Sequence, residues 1–163
     1  MKQLFNALTK NSLFASLVLA SVVFFTSCTK DDGYVATSIS YSLSGNASGS
    51  QAVPASSNQN GSGTMSGTYN SSTRIMSYTT TWSNLTGAPI SGGLYTGIAG
   101  QIGTSISAWS LGTGLSTSGS FSGTTTLNAD QEAKLLAGQA YYILATTANA
   151  SGEIRGQITA SAH

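Results

Sequence analysis

The sequence predicts an all-β domain, a β-sandwich with Greek-key connections and one short helix near residues 129–137. Three observations carry this. The chain holds 28 serines and 21 threonines among 163 residues, with 19 glycines, so short polar and Gly-containing turns separate runs of strand-forming residues. Only 7% of residues are charged while 40% are hydrophobic, against about 25% charged in ordinary domains. That is not the low-hydrophobicity, high-charge profile of a disordered chain. Finally, apolar and small polar residues alternate in segment after segment, the period of a half-buried strand.

The elements follow in order. Val35, Thr37, Ile39, Tyr41 and Leu43 alternate with small polar residues and predict a strand over 35–43. Residues 45–61 read as a polar connection. Gly63, Met65, Gly67 and Tyr69, a turn at 70–73, then Met76, Tyr78, Thr80 and Trp82 read as a hairpin. Residues 84–89 turn the chain, and 90–99 and 102–111 are two Gly-containing strands. A loop over 112–119 precedes a strand through Phe121, Gly123, Thr125 and Leu127. Asn128 followed by Gln131 is a capping-box spacing. It opens a helix that Gly138 ends, with Leu135 and Leu136 facing the sheet. Strands at 141–147 and 152–159 complete a set of eight. Trp82 and Trp109 read as core or else as aromatics that stack on sugar rings, and Tyr34, Tyr95, Tyr141 and Tyr142 as further aromatic contacts.

The first 28 residues carry a different signal. Lys2 and Lys10 precede an apolar stretch from Leu13 to Phe25, too short to span a bilayer and suited to a signal peptide. Phe25-Thr26-Ser27-Cys28 then places small residues before the single cysteine. This resembles a bacterial lipobox, with Phe25 where Leu is usual. The resemblance implies cleavage after residue 27 and acylation of Cys28, which can form no internal disulfide. Lys30-Asp31-Asp32 resembles an export signal that sends lipoproteins to the outer face of the outer membrane. The expected organisation is a signal peptide over 1–27, a lipidated Cys and tether over 28–33, and one domain over 34–163. The expected location is the outer membrane, facing the cell exterior.

Without the signal peptide the chain keeps four cations (Lys30, Arg74, Lys134, Arg155) against five carboxylates (Asp31, Asp32, Asp130, Glu132, Glu153). Such sparse, scattered charge excludes a nucleic-acid partner, which needs a basic stripe. It also gives catalysis little to work with, because a nucleophile requires a base within reach. Asp130 and Glu132 fall in the first helical turn, where they favour the helix dipole. Glu153 and Arg155 are two apart on a strand and so share a face. They read as a structural pair, with Arg155 tying down a loop or the 149–151 turn, or else as a ligand-contacting pair on an exposed face. Glu153 has no partner acid for glycoside hydrolysis.

Leu43-Ser44-Gly45 with Gln51-Ala52-Val53-Pro54, and Leu136-Ala137-Gly138-Gln139-Ala140-Tyr141 through Gly152-Glu153-Ile154-Arg155-Gly156-Gln157-Ile158, resemble the opening and close of the chordin-type (CHRD) domain. The likeness covers about residues 37–160. It implies an all-β domain with no established activity in bacterial members, and marks Glu153, Arg155 and Gln157 as motif residues of structural or ligand-contacting use. Family members usually carry a His-x-His-Gly segment and a His-Thr pair. Alternating histidines with a third on a neighbouring strand could bind a metal, a pattern similar at fold level to superoxide dismutases. Here the matching stretches read Gly93-Leu94-Tyr95-Thr96-Gly97 and Ala145-Thr146, and the single histidine is His163. The expectation is therefore a lipid-anchored envelope module with no metal, no cofactor and no catalysis. Its partners would be the membrane, through the anchor, and an extracellular protein or glycan. The alternative is a metal-handling or hydrolytic enzyme with Glu153 and Arg155 in its site.

Overall fold

The computed structural model describes residues 38–163. The expected signal peptide (1–27), the expected lipidation site Cys28 with its tether, and Tyr34 lie outside the described residues. Eight strands form: β1 (Ser40–Ser48), β2 (Ser62–Asn70), β3 (Ile75–Ser83), β4 (Pro89–Thr96), β5 (Thr104–Ala108), β6 (Gly119–Thr126), β7 (Ala140–Thr146) and β8 (Ile154–Ala162). One helix, α1, spans Ala129–Leu136. The all-β class with one short helix is as the sequence predicts.

All neighbouring strands are antiparallel, in the order β5-β4-β7-β8-β1-β2-β3-β6. The two layers of the expected sandwich are thus the two halves of one continuous, nearly closed, barrel-like sheet. Trp109, just past β5, packs in its interior. Its ring stacks on Phe121 of β6 at 4.9 Å, on Tyr78 of β3 at 5.8 Å and on Tyr142 of β7 at 6.4 Å. It therefore bridges the two ends of the strand order, β5 and β6. Gly92 makes room for it, since a Cβ there would stand 2.6 Å from the indole. Trp82 is equally buried and donates from Nε1 to the Ser116 carbonyl. Both tryptophans belong to the core, with Leu43, Met65, Tyr69, Leu94, Leu144, Ile154 and Ile158.

Three expectations are corrected. Residues 35–37 of the expected first strand lie outside the described residues; β1 runs further than expected, to Ser48, because Gly45 and Ala47 continue the inward series of Leu43. Most of the 45–61 connection is thus shortened to a single 3-10 turn (Gly49–Gln51) and a loop. In the helix, Leu135 is buried but Leu136 is exposed. A single helical turn cannot point two adjacent side chains at the same sheet. The capping box does form: the Asn128 side chain accepts from the Gln131 N–H at 2.9 Å, and Gln131 Oε1 accepts from the Asn128 N–H at 2.9 Å.

The outward positions of β1, β2, β3 and β6 are almost all hydroxyl-bearing. Register places Ser44, Ser66, Thr79 and Ser122 in one row across the four strands, and Ser42, Thr68, Ser77 and Thr124 in the next. Cross-strand hydroxyls bond to each other, Thr64 to Thr81 at 2.7 Å and Thr79 to Ser122 at 2.8 Å.

Candidate functional site

The Gly152–Ile158 run organises one end and one side of the barrel. Ile154 and Ile158 point into the core, so Glu153, Arg155 and Gln157 leave on the opposite face. That face is not open. Glu153 and Arg155 are 0% and 2% exposed, which corrects the exposed-face reading.

Glu153 stands at the start of β8 and is held only by neutral donors. Oε1 accepts from Asn58 Nδ2 and from the Thr86 N–H, both at 2.6 Å. Oε2 accepts from the Thr86 hydroxyl at 2.6 Å, from the Thr146 hydroxyl, and from Asn149 Nδ2 at 3.4 Å. Asn58 lies between β1 and β2, Thr86 between β3 and β4, and Asn149 between β7 and β8. One carboxylate therefore ties three connections together. Burial alone would raise its pKa, but the bonds from Thr146, Thr86 and Asn58 outweigh it and lower the pKa to about 2. Glu153 is a fixed anion whose lone pairs are engaged.

Arg155 holds a different segment. Its Nη1 donates to the Gln101 carbonyl and its Nη2 to the Ile98 carbonyl, both at 2.7 Å. Gln157 Nε2 donates to the carbonyls of Gly97 and Gly138 at 2.7 and 2.9 Å. The expectation that Arg155 ties down a loop holds for the β4–β5 connection; the 149–151 turn is bound by Glu153 instead. The guanidinium lies over the Tyr141 ring, 3.6 Å from its centroid. Burial lowers the Arg155 pKa, and Tyr141 opposes that shift. Glu153 and Arg155 form no ion pair, and the two ion pairs among the described residues are Arg74–Glu132 and Asp130–Lys134.

Two shallow depressions flank Arg155. A cleft of about 200 Å³ is lined by Pro54, Tyr95, Ile102, Tyr141 and Ile143, and a neighbouring one of about 260 Å³ by Gln51, Ala52, Gly100 and Gln157. Val53 and Arg155 border both. Tyr95 stacks on Tyr141 at 5.4 Å. Tyr142 instead points inward, its hydroxyl donating to the Gly45 carbonyl at 3.3 Å.

The positions aligned with the family histidines do not meet. Leu94 and Thr96 are inward neighbours of Tyr142 and Ala140, whereas Ala145 lines the outer cleft. Among the described residues no group of three His, Cys, Asp or Glu side chains could hold a metal ion. His163 is exposed, its Nδ1 3.3 Å from the Ser42 hydroxyl. Sequence reasoning missed Asn58 and Thr86, ordinary polar residues in a chain full of them that no local pattern singles out, and gave Thr146, though part of the family motif, no role.

The family model for the CHRD domain matches residues 43–158. The chain belongs to the CHRD domain family. No curated protein and no solved structure matches it.

Proposed function

We propose that this CHRD domain is a non-catalytic binding or structural module of the cell envelope, anchored through a lipid on Cys28. One observation carries the non-catalytic part. The Glu153 carboxylate is buried and engaged by Asn58, Thr86, Thr146 and Asn149, so it has no room to take or give a proton to a substrate. Arg155 is committed to two carbonyls. The single Cys after a short apolar stretch supports the anchor, since acyl chains give stable attachment when several act together.

Incorporation of radiolabelled palmitate, with Cys28→Ser as control, tests the anchor. Protease shaving of whole cells tests the outward face. The lipidated protein, in detergent, is then presented to envelope glycans and proteins alongside Glu153→Gln. A partner bound by both supports the module. A chemical turnover lost in a folded Glu153→Gln variant overturns it in favour of an enzyme.

A further inference from the structure

The cleft beside Arg155 specifies the class of ligand, on the footing that the domain is a binding module. Its lining includes a cation, Arg155, with no carboxylate partner among the described residues. A buried charge is costly unless it is paired and hydrogen-bonded. Arg155 meets only two carbonyl oxygens and the face of Tyr141. Two of its five N–H donors are committed there. Exposed over 2% of its surface, the side chain still borders both depressions. The walls are apolar or aromatic: Pro54, Ile102, Ile143 and the stacked Tyr95–Tyr141 pair. Ile102 is 76% exposed at the rim, an apolar side chain left in water beside a cation.

We propose that this cleft binds a small organic acid, its carboxylate set against Arg155 and its apolar body against Tyr95 and Ile102. Guanidinium donors match a carboxylate, and the charge-assisted bond is the stronger kind. The anion would meet a charge that no carboxylate among the described residues pairs. A volume of about 200 Å³ accommodates one ring or a short aliphatic chain.

The test is amide NMR on the detergent-solubilised full chain, titrated with phenylacetate and with its uncharged isostere phenylacetamide. Phenylacetate is expected to shift the amides of Tyr95, Ile102 and Ser151 and to bind roughly tenfold more tightly than the amide. Tyr95→Ala should weaken that binding while the unfolding midpoint stays within a few degrees. Arg155→Gln, which removes the charge, should abolish the preference for the acid, and Tyr95→Ala keeps the test decisive if that variant folds poorly. Equal affinity for the two probes overturns the carboxylate assignment and leaves the binding-module reading standing. Absence of shifts at the cleft with either probe overturns the proposal. Chemical conversion of the probe overturns the module reading itself.

Discussion

Glu153 and Arg155 stand two residues apart, both buried, and have no partner in common. The anion gathers side-chain and backbone donors from loops at one end of the barrel. The cation gathers backbone carbonyls from the β4–β5 connection. The most specific motif of the chain is therefore two separate clamps on adjacent outward positions of one strand.

The Glu153 clamp makes stability depend on acid. Its pKa falls from an ordinary 4.5 to about 2 in the folded chain. A depressed carboxylate contributes stability that is present above its unfolded pKa and is lost as pH falls through its folded pKa. Between pH 4.5 and 2 the loss is on the order of 3 kcal/mol. Urea unfolding at pH 7, 4.5, 3 and 2 measures it. Glu153→Gln should be less stable at pH 7 and should lack this part of the acid dependence. An unchanged pH profile in that variant would sink the assignment.

The Arg155 clamp needs a fork. Lysine is a point charge and cannot reach the Ile98 and Gln101 carbonyls together in the same way. Arg155→Lys should lose about 1.5–3 kcal/mol. Limited proteolysis should cut the 97–103 segment sooner than in the parent, ahead of any cut in β8. Simultaneous cleavage everywhere would mean global unfolding and not loop release.

Gly156 is required by contact. A Cβ there would lie 2.6 Å from the Tyr142 ring and 2.9 Å from the Asn46 carbonyl oxygen, and the latter is backbone of the paired strand. Gly156→Ala should cost at least about 2 kcal/mol. Gly112→Ala, where nothing lies within 4 Å, should stay within about 0.5 kcal/mol. Thermal unfolding of the two side by side checks the contrast.

Asn128→Ala removes the cap of α1 and should cost about 1 kcal/mol. Hydrogen exchange should quicken at the first-turn amides, Gln131 above all, whose N–H bonds the Asn128 side chain. Uniform exchange across the sheet would contradict a local cap.

The strands were legible because alternation is a local property. Met76, Tyr78, Thr80 and Trp82 declare an inward face without reference to any other segment. The helix was legible for the same reason, through Asn128 and Gln131. Closure of the sheet was not. It depends on β4 pairing with β7 and β3 with β6, and no residue spacing encodes which distant strand is a neighbour. β1 was misjudged at its end because Gly45 and Ala47 are small, and smallness hides an inward series. The motif marked Glu153, but its hydrogen bonds come from Asn58 and Thr86, which two distant loops bring in, and from Thr146 at the end of the neighbouring β7.

The hydroxyl rows on β1, β2, β3 and β6 have a consequence of their own. Ser44, Ser66, Thr79 and Ser122 hold their protons from acid to alkali, and carry no charge for dissolved ions to screen. Attachment there would answer to shape and to the release of water, with no titrating group in these rows to switch it as pH changes.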